Sequence, residues 1–209
     1  MEPPTIPYRQ IRASYTPTTI IVYQAYSASI ACPAVETQRL DASPEFSPSR
    51  MTWIKPSWAW MLYRSGYSYK DSRQAHILAL HMTHDSFKSL LRKAVLSHGR
   101  VAGSKNAKVE TTPPPVSVRV QWDPERSVRL DRLAYRSIQI GIPGAFKEEW
   151  LAGIVKIEDV TERARELKAL LDEDVEGKIG VEALVEKGLV PVETEFEVDE
   201  ELRAILEMD

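Results

Sequence analysis

The chain has 209 residues and a single cysteine, Cys32; that length can bury a full core without covalent staples, and one cysteine excludes an internal disulfide or a cysteine-built zinc site. Its net charge of −3 conceals a polarity, because residues 1–145 carry 19 Lys and Arg against 10 Asp and Glu, whereas residues 146–209 carry 8 against 20. Two readings follow: a basic region that attracts a phosphate-bearing ligand or nucleic acid, and an acidic tail that packs over a basic body.

The first strong pattern is TIIVYQAY, residues 19–26, whose β-branched and aromatic content predicts a strand. A helix is expected around SIACPAVETQRL with Pro33 in its first turn, then a loop over DASPEFSPSR. RMTWIKP predicts a strand ended by Pro56, and Ser57 caps a helix over WAWMLYRS stopped at Gly66. That helix puts Trp58, Met61 and Leu62 on one face, assigned to the core, and Trp60 with Arg64 on another. SYKDSRQ reads as a turn or helix start, HILALHM as a buried strand, and DSFKSLLRKAVLS as a helix whose apolar stripe runs from Phe87 to Val95.

Residues 99–115, GRVAGSKNAKVETTPPP, predict a basic, then proline-stiffened loop. VSVRVQW alternates as a strand with Val116, Val118 and Val120 on one face, and DPERS reads as the turn after it. RSIQIGI, residues 136–142, is a strand ended by Pro143 and Gly144, and AFKEEWLAG a short helix. IVKIEDVT is a strand, followed by a helix over ERARELKALLDED capped by Thr161 and a second over VEALVEKG. ETEFEV predicts an edge strand, and Asp199 caps a terminal helix, EELRAILEM. The irregular order predicts a single compact α+β domain with a mixed or antiparallel split sheet and peripheral helices. Its basic region, 1–145, forms the core, and its acidic region, 146–209, packs on that core.

MEPPTIPYRQ lacks the basic start and apolar run of a signal peptide, and no segment holds eighteen consecutive apolar residues, so a cytoplasmic protein with no membrane partner is expected. His76, His81 and His84 crowd one stretch, but strand alternation sends His76 and His81 to opposite faces, which argues for structural roles over a metal site. No GxGxxG, P-loop, HExxH or GxSxG pattern occurs. Cationic recognition of phosphate stays open. Arg9 and Arg12, three apart and flanked by Tyr8 and Tyr15, suit a clamp on phosphate oxygens, or equally a pairing with the acidic tail. Residues 51–70 hold three Trp, three Tyr, two Lys and one Arg. Alternation there puts Trp53 and Lys55 on one face, an anion held beside a stacking ring, with Arg64 and Ser65 returning toward the same ligand at the helix end.

The blocks RQIRASYTPTTIIVYQAYSASIACPAVE, RMTWIKPSWAWMLYRSGYSYKDSRQAHILAL and YRSIQIGIPG, with the later IVKIEDVT and LVPVE, resemble the DUF4291 family over nearly the whole chain. The resemblance supplies no reaction. The chain is also similar, more distantly, to ADP-ribosyltransferase-like folds, which bind NAD in a cleft between two sheets. That similarity implies Arg9 or Arg12, Tyr23, the Thr52 region and Gln139 as site residues. The pattern departs at Gln24, where a charged or imidazole residue is expected, and RSIQIGI carries no glutamate, leaving Glu148 or Glu149 for that part.

These features give an expected nucleotide-dependent transferase, most concretely an NAD-utilising ADP-ribosyltransferase-like enzyme. Arg12, Tyr23, Gln139 and Glu149 would be catalytic, and Arg9, Arg12, Trp53, Lys55, Arg64 and Ser65 would bind NAD. Two alternatives stand beside it. One is a non-catalytic single-stranded nucleic-acid-binding module using Arg9, Arg12, Trp53, Lys55, Arg64 and the GSKNAK loop; the other is a structural or interaction protein.

Overall fold

A computed structural model describes residues 6–47, 49–97 and 116–209 of the chain. His98 and the 99–115 loop lie outside the described residues, so the GSKNAK reading receives no structural account. The strands are β1 (Arg12–Ala13), β2 (Thr19–Tyr26), β3 (Thr52–Ile54), β4 (His76–Thr83), β5 (Ala94–Leu96), β6 (Val118–Arg126), β7 (Arg132–Ile142), β8 (Ile154–Asp159) and β9 (Thr194–Glu195). The α-helices are α1 (Ala28–Thr37), α2 (Trp58–Ser65), α3 (His84–Arg92), α4 (Lys147–Ala152), α5 (Thr161–Glu173), α6 (Val181–Glu186) and α7 (Glu200–Leu206). Together they form a single α+β domain. No helix among the described residues is long and apolar enough to cross a membrane.

One sheet is antiparallel in the order β2-β4-β8; a second, mixed sheet runs β3-β7-β6-β5, with β5 parallel to β6. The sheets meet at one point, where Tyr23 of β2 and Lys55, just beyond β3, exchange backbone hydrogen bonds of 2.7 and 3.2 Å. Past that bridge β2 and β3 part, which is the expected split.

Alternation in β2 and β4 supplies two cores. Ile20, Val22, Leu78, Leu80 and Met82 face a large core shared with Ile138, Ile140 and Ile142 of the second sheet and with α3 and α7. Tyr23, Ile77 and Ala79 face a smaller core closed by Trp58, Met61 and Leu62 of α2 and by α5 and α6. Strands apolar on both faces fit a sheet covered on both sides. Truncating any fully buried Leu or Phe here costs about 2–5 kcal/mol.

Several local expectations change under tertiary contact. Pro33 sits in the second turn of α1, not the first. The helix over Asp85–Ser97 ends at Arg92, because Ala94–Leu96 pair with β6 and draw Val95 into a strand. Val116 lies outside β6 and is exposed, while Val118 and Val120 are buried. DPERS is not a turn: β6 continues to Arg126, with the irregularity caused at Pro124 absorbed by a register shift. Thr161 is the first residue of α5 and spends its hydroxyl on the Ile77 N–H, 2.9 Å, while Asp159 accepts from the Thr161 N–H.

Candidate functional site, a cationic cleft at the fork of the sheets

Parting strands leave backbone groups without ladder partners, and those groups need substitutes. Gln24 supplies one: its amide donates to the Trp53 carbonyl at 2.9 Å and its oxygen accepts from the Tyr26 hydroxyl at 2.8 Å. Gln24 is thus a strut that bridges the fork. The cleft so formed encloses about 630 Å³, within the usual range for ligand sites.

Trp53 lies flat on the backbone of β7, where a Cβ at Gly141 would meet its ring at 2.9 Å. Glycine at 141 therefore seats the indole. Gln139, the next residue of β7 on the same face, donates to Gln121 at 2.5 Å and hydrogen-bonds Asp123. Lys55 forms the floor, with its Nζ 4.3 Å from the centre of the Trp60 ring. Burial pulls its amine down to about 8, with Arg64 adding to the effect and Asp123 opposing it. Asp123 is pushed up by burial, against the pull of Lys55 and Arg136.

Arg50, Arg64 and Arg73 complete the positive lining, and Glu45 is the single carboxylate among the described lining residues. Arg73 is neutralised by Asp71 at 2.7 Å, and Glu45 accepts from Ser29 at 2.6 Å. Arg50 and Arg64 form no hydrogen bond or ion pair among the described residues. Arg64 occupies the last turn of α2, where the helix dipole also favours a cation.

Of the residues expected at the site, Thr52, Trp53, Lys55, Arg64 and Gln139 converge here. The others do not. Arg9 binds the C-terminal end, pairing with Glu207 at 2.6 Å. Arg12 donates to the Glu193 carbonyl at 2.7 Å and faces the buried Glu125 and Glu193 carboxyls. Tyr23 is buried against Trp58, ring centres 5.2 Å apart, and burial raises its phenol. Ser65 turns inward to the Met61 carbonyl, 2.9 Å. Glu149 is held by Lys93 and by Ser89, the latter at 2.7 Å, at the C-terminal end of α3. The tail thus supplies partners to both Arg9 and Arg12.

Asp123, Glu125, Glu193, Arg73 and Tyr26 were not singled out from sequence. Strand alternation through Gln121, Asp123 and Glu125 was a usable signal, but Pro124 disguised it as a turn. The histidines have structural partners: His76 meets Asp159 at 2.8 Å, His81 meets Glu158 at 2.6 Å, and His84 packs edge-on to Phe196.

Fold and site together define an α+β protein with a cationic, aromatic-floored cleft where two sheets diverge. The family described as Domain of unknown function (DUF4291) matches residues 10–196, and the chain belongs to that family. No curated protein matches it.

Proposed function

We propose that the protein is a nucleotide-dependent transferase, most concretely one that uses NAD as a donor of ADP-ribose. One observation carries the reading: the unpaired Arg50 and Arg64 converge with Lys55 and the Trp53 ring at the fork of two sheets. Guanidinium forks match phosphate oxygens in pairs. A ring seated on backbone offers its open face to a base or pyridine ring. NAD supplies an ADP-ribosyl group on a pyridinium that leaves as neutral nicotinamide. In this reading Arg50 and Arg64 hold the diphosphate, Trp53 takes the aromatic ring and Gln139 orients a ribose hydroxyl. Glu45, lining the cleft, takes the part expected of Glu149, facing the positive charge that develops at the sugar carbon.

Thermal unfolding tests it. NAD at ten times its Kd stabilises by ~1.4 kcal/mol, which for a chain of this size raises Tm by about 3–6 °C. Arg64→Ala abolishes most of that rise. No shift at millimolar NAD, on protein shown to be folded, overturns the reading.

A second reading, binding of single-stranded nucleic acid, is favoured by exposed Tyr63 and Tyr69 near the same helix, with Arg126 3.9 Å and Arg165 5.5 Å from their ring centres. Here affinity for an unstructured oligonucleotide falls steeply with salt. Affinity that is flat in salt, or absent at low salt, counts against it.

A further inference from the structure

Lys55 differs from every other cation of the cleft in being 5 % exposed while still lining the cavity. Its amine has no hydrogen bond or ion pair among the described residues, only the face of Trp60. Two charged groups face it: Asp123 from β6 and Arg64 from α2. Gln139 of β7 and Trp53 of β3 are its neutral neighbours along the wall. A buried ammonium without a hydrogen-bond partner is costly, so this site eases release of its proton to give an amine with a free lone pair. The fall of its pKa to about 8, caused first by burial, agrees with that geometry.

We propose that Lys55 is a reactive amine that condenses with the carbonyl carbon of a phosphate-bearing aldehyde or ketone whose phosphate is held by Arg64 and Arg50. The Nζ lone pair forms a C–N bond as the carbonyl π pair moves to oxygen, which takes up a proton. The carbinolamine oxygen takes up a second proton and departs as water, the two protons being matched by the two that nitrogen gives up, and an imine results. Amine and carbonyl become imine and water with no oxidation or reduction. A desolvated lysine beside a second cation is the arrangement that activates amines for this step. The open-chain form of a reducing sugar phosphate belongs to this ligand class. The inference goes beyond ADP-ribosyl transfer and shares with it only the anion-holding arginines.

The test uses pyridoxal 5′-phosphate, a phosphate-bearing aldehyde, on the folded full-length chain at pH 8, followed by borohydride reduction and peptide mass analysis. At that pH an amine titrating at about 8 is neutral about a hundredfold more often than an ordinary lysine. Lys55 is therefore expected to be labelled first, at least about tenfold faster than the exposed Lys70 and Lys187, after allowing for restricted access to a buried group. Pyridoxal without its phosphate, and Arg64→Ala with the phosphate, should each lower the ratio of Lys55 to Lys70 labelling by about fivefold or more. Labelling of Lys55 no faster than of the exposed lysines overturns the reactive amine. Equal rates with pyridoxal and its phosphate overturn the phosphate-bearing ligand. Neither NAD nor turnover enters the assay, so a failure to bind NAD leaves its outcome intact.

Discussion

The two ends of α2 carry opposite charge and treat it oppositely. At the N-terminal end Ser57 caps Trp60 N–H at 3.0 Å and donates to Glu125 at 2.9 Å, while Glu193 accepts from Trp58 N–H at 2.6 Å. The Arg12 charge acts on both carboxyls, and its guanidinium donates to the Glu193 carbonyl. At the C-terminal end Arg64 stands at the cleft with no ion pair among the described residues. Both ends satisfy the helix dipole, but only the first is closed on itself. Charge joined in a partnered network maintains the fold; charge left open at a cavity is available to a ligand.

The largest expected effect breaks the closed end. Arg12→Ala removes the guanidinium bonds to the Glu193 carbonyl and Gln10 and the cation nearest two poorly solvated carboxyls, a change that costs about 1.5–3 kcal/mol, readable as a drop in urea midpoint at pH 7. Arg12→Lys should recover part of the loss but not all, since one ammonium cannot reproduce the contacts to the Glu193 carbonyl and Gln10. A stability unchanged in Arg12→Ala would remove the distinction between the two ends.

Proton linkage sharpens the comparison, because the two regions respond to pH with opposite sign. Burial, then repulsion from Glu125, pushes Glu193 up to about 8, against the Trp58 N–H bond and Arg12. The folded state therefore binds a proton that the unfolded state releases near the ordinary glutamate value. This contribution is complete below that value and is lost as pH rises toward 8. Lys55, lowered to about 8, does the reverse, and its contribution improves stability as pH rises from 8 toward the ordinary lysine value. Glu193→Gln should flatten the stability profile between pH 5 and 8, measured by urea unfolding at several pH values, whereas Lys55→Met should flatten only the alkaline limb. A wild-type profile already flat below pH 8 would refute the assignment to Glu193.

Gly141→Ala acts next, at the cleft. The added methyl meets the Trp53 ring at 2.9 Å, and overpacking of this kind costs about 1–3 kcal/mol. The ring must lift from β7, so a ligand that stacks on Trp53 should weaken along with stability. The fluorescence of a Trp53→Phe control identifies the indole that moved. Retained stability with an unshifted Trp53 signal would mean the ring is not seated on Gly141.

Much of this contrast was legible in the sequence, and what escaped did so for physical reasons. Ser57 and Gly66 bounded α2 through local backbone rules, and both hold: Ser57 caps, and Gly66 takes φ 57°. Trp53 and Lys55 share a face because strand alternation is equally local. Arg12 belonged to neither end on sequence grounds, because its partners lie 181 residues away at Glu193 and within a strand hidden by Pro124. Phosphate clamp and structural pairing predict the same residue type there. Only the position of the tail distinguishes them. Gln24 looked like a departure from a catalytic pattern, yet its role follows from the divergence of β2 and β3, a feature of sheet assembly that no window of sequence contains.

Arg64→Ala should have the smallest effect on stability and the greatest on binding. Arg64 is exposed and has no ion pair among the described residues, so its removal should change unfolding free energy by no more than about 0.5 kcal/mol. Relieving its repulsion of Lys55 should also move that amine upward. The open end of α2 thus allows an unusually clean separation: Arg64→Ala keeps the urea midpoint of the wild type but loses the thermal shift from inorganic pyrophosphate, while Arg12→Lys loses midpoint and keeps the shift. If Arg64→Ala instead destabilises by more than about 1 kcal/mol, beyond the usual reach of a surface substitution, Arg64 serves the fold as Arg12 does, and the cleft loses the unspent charge on which its ligand reading depends.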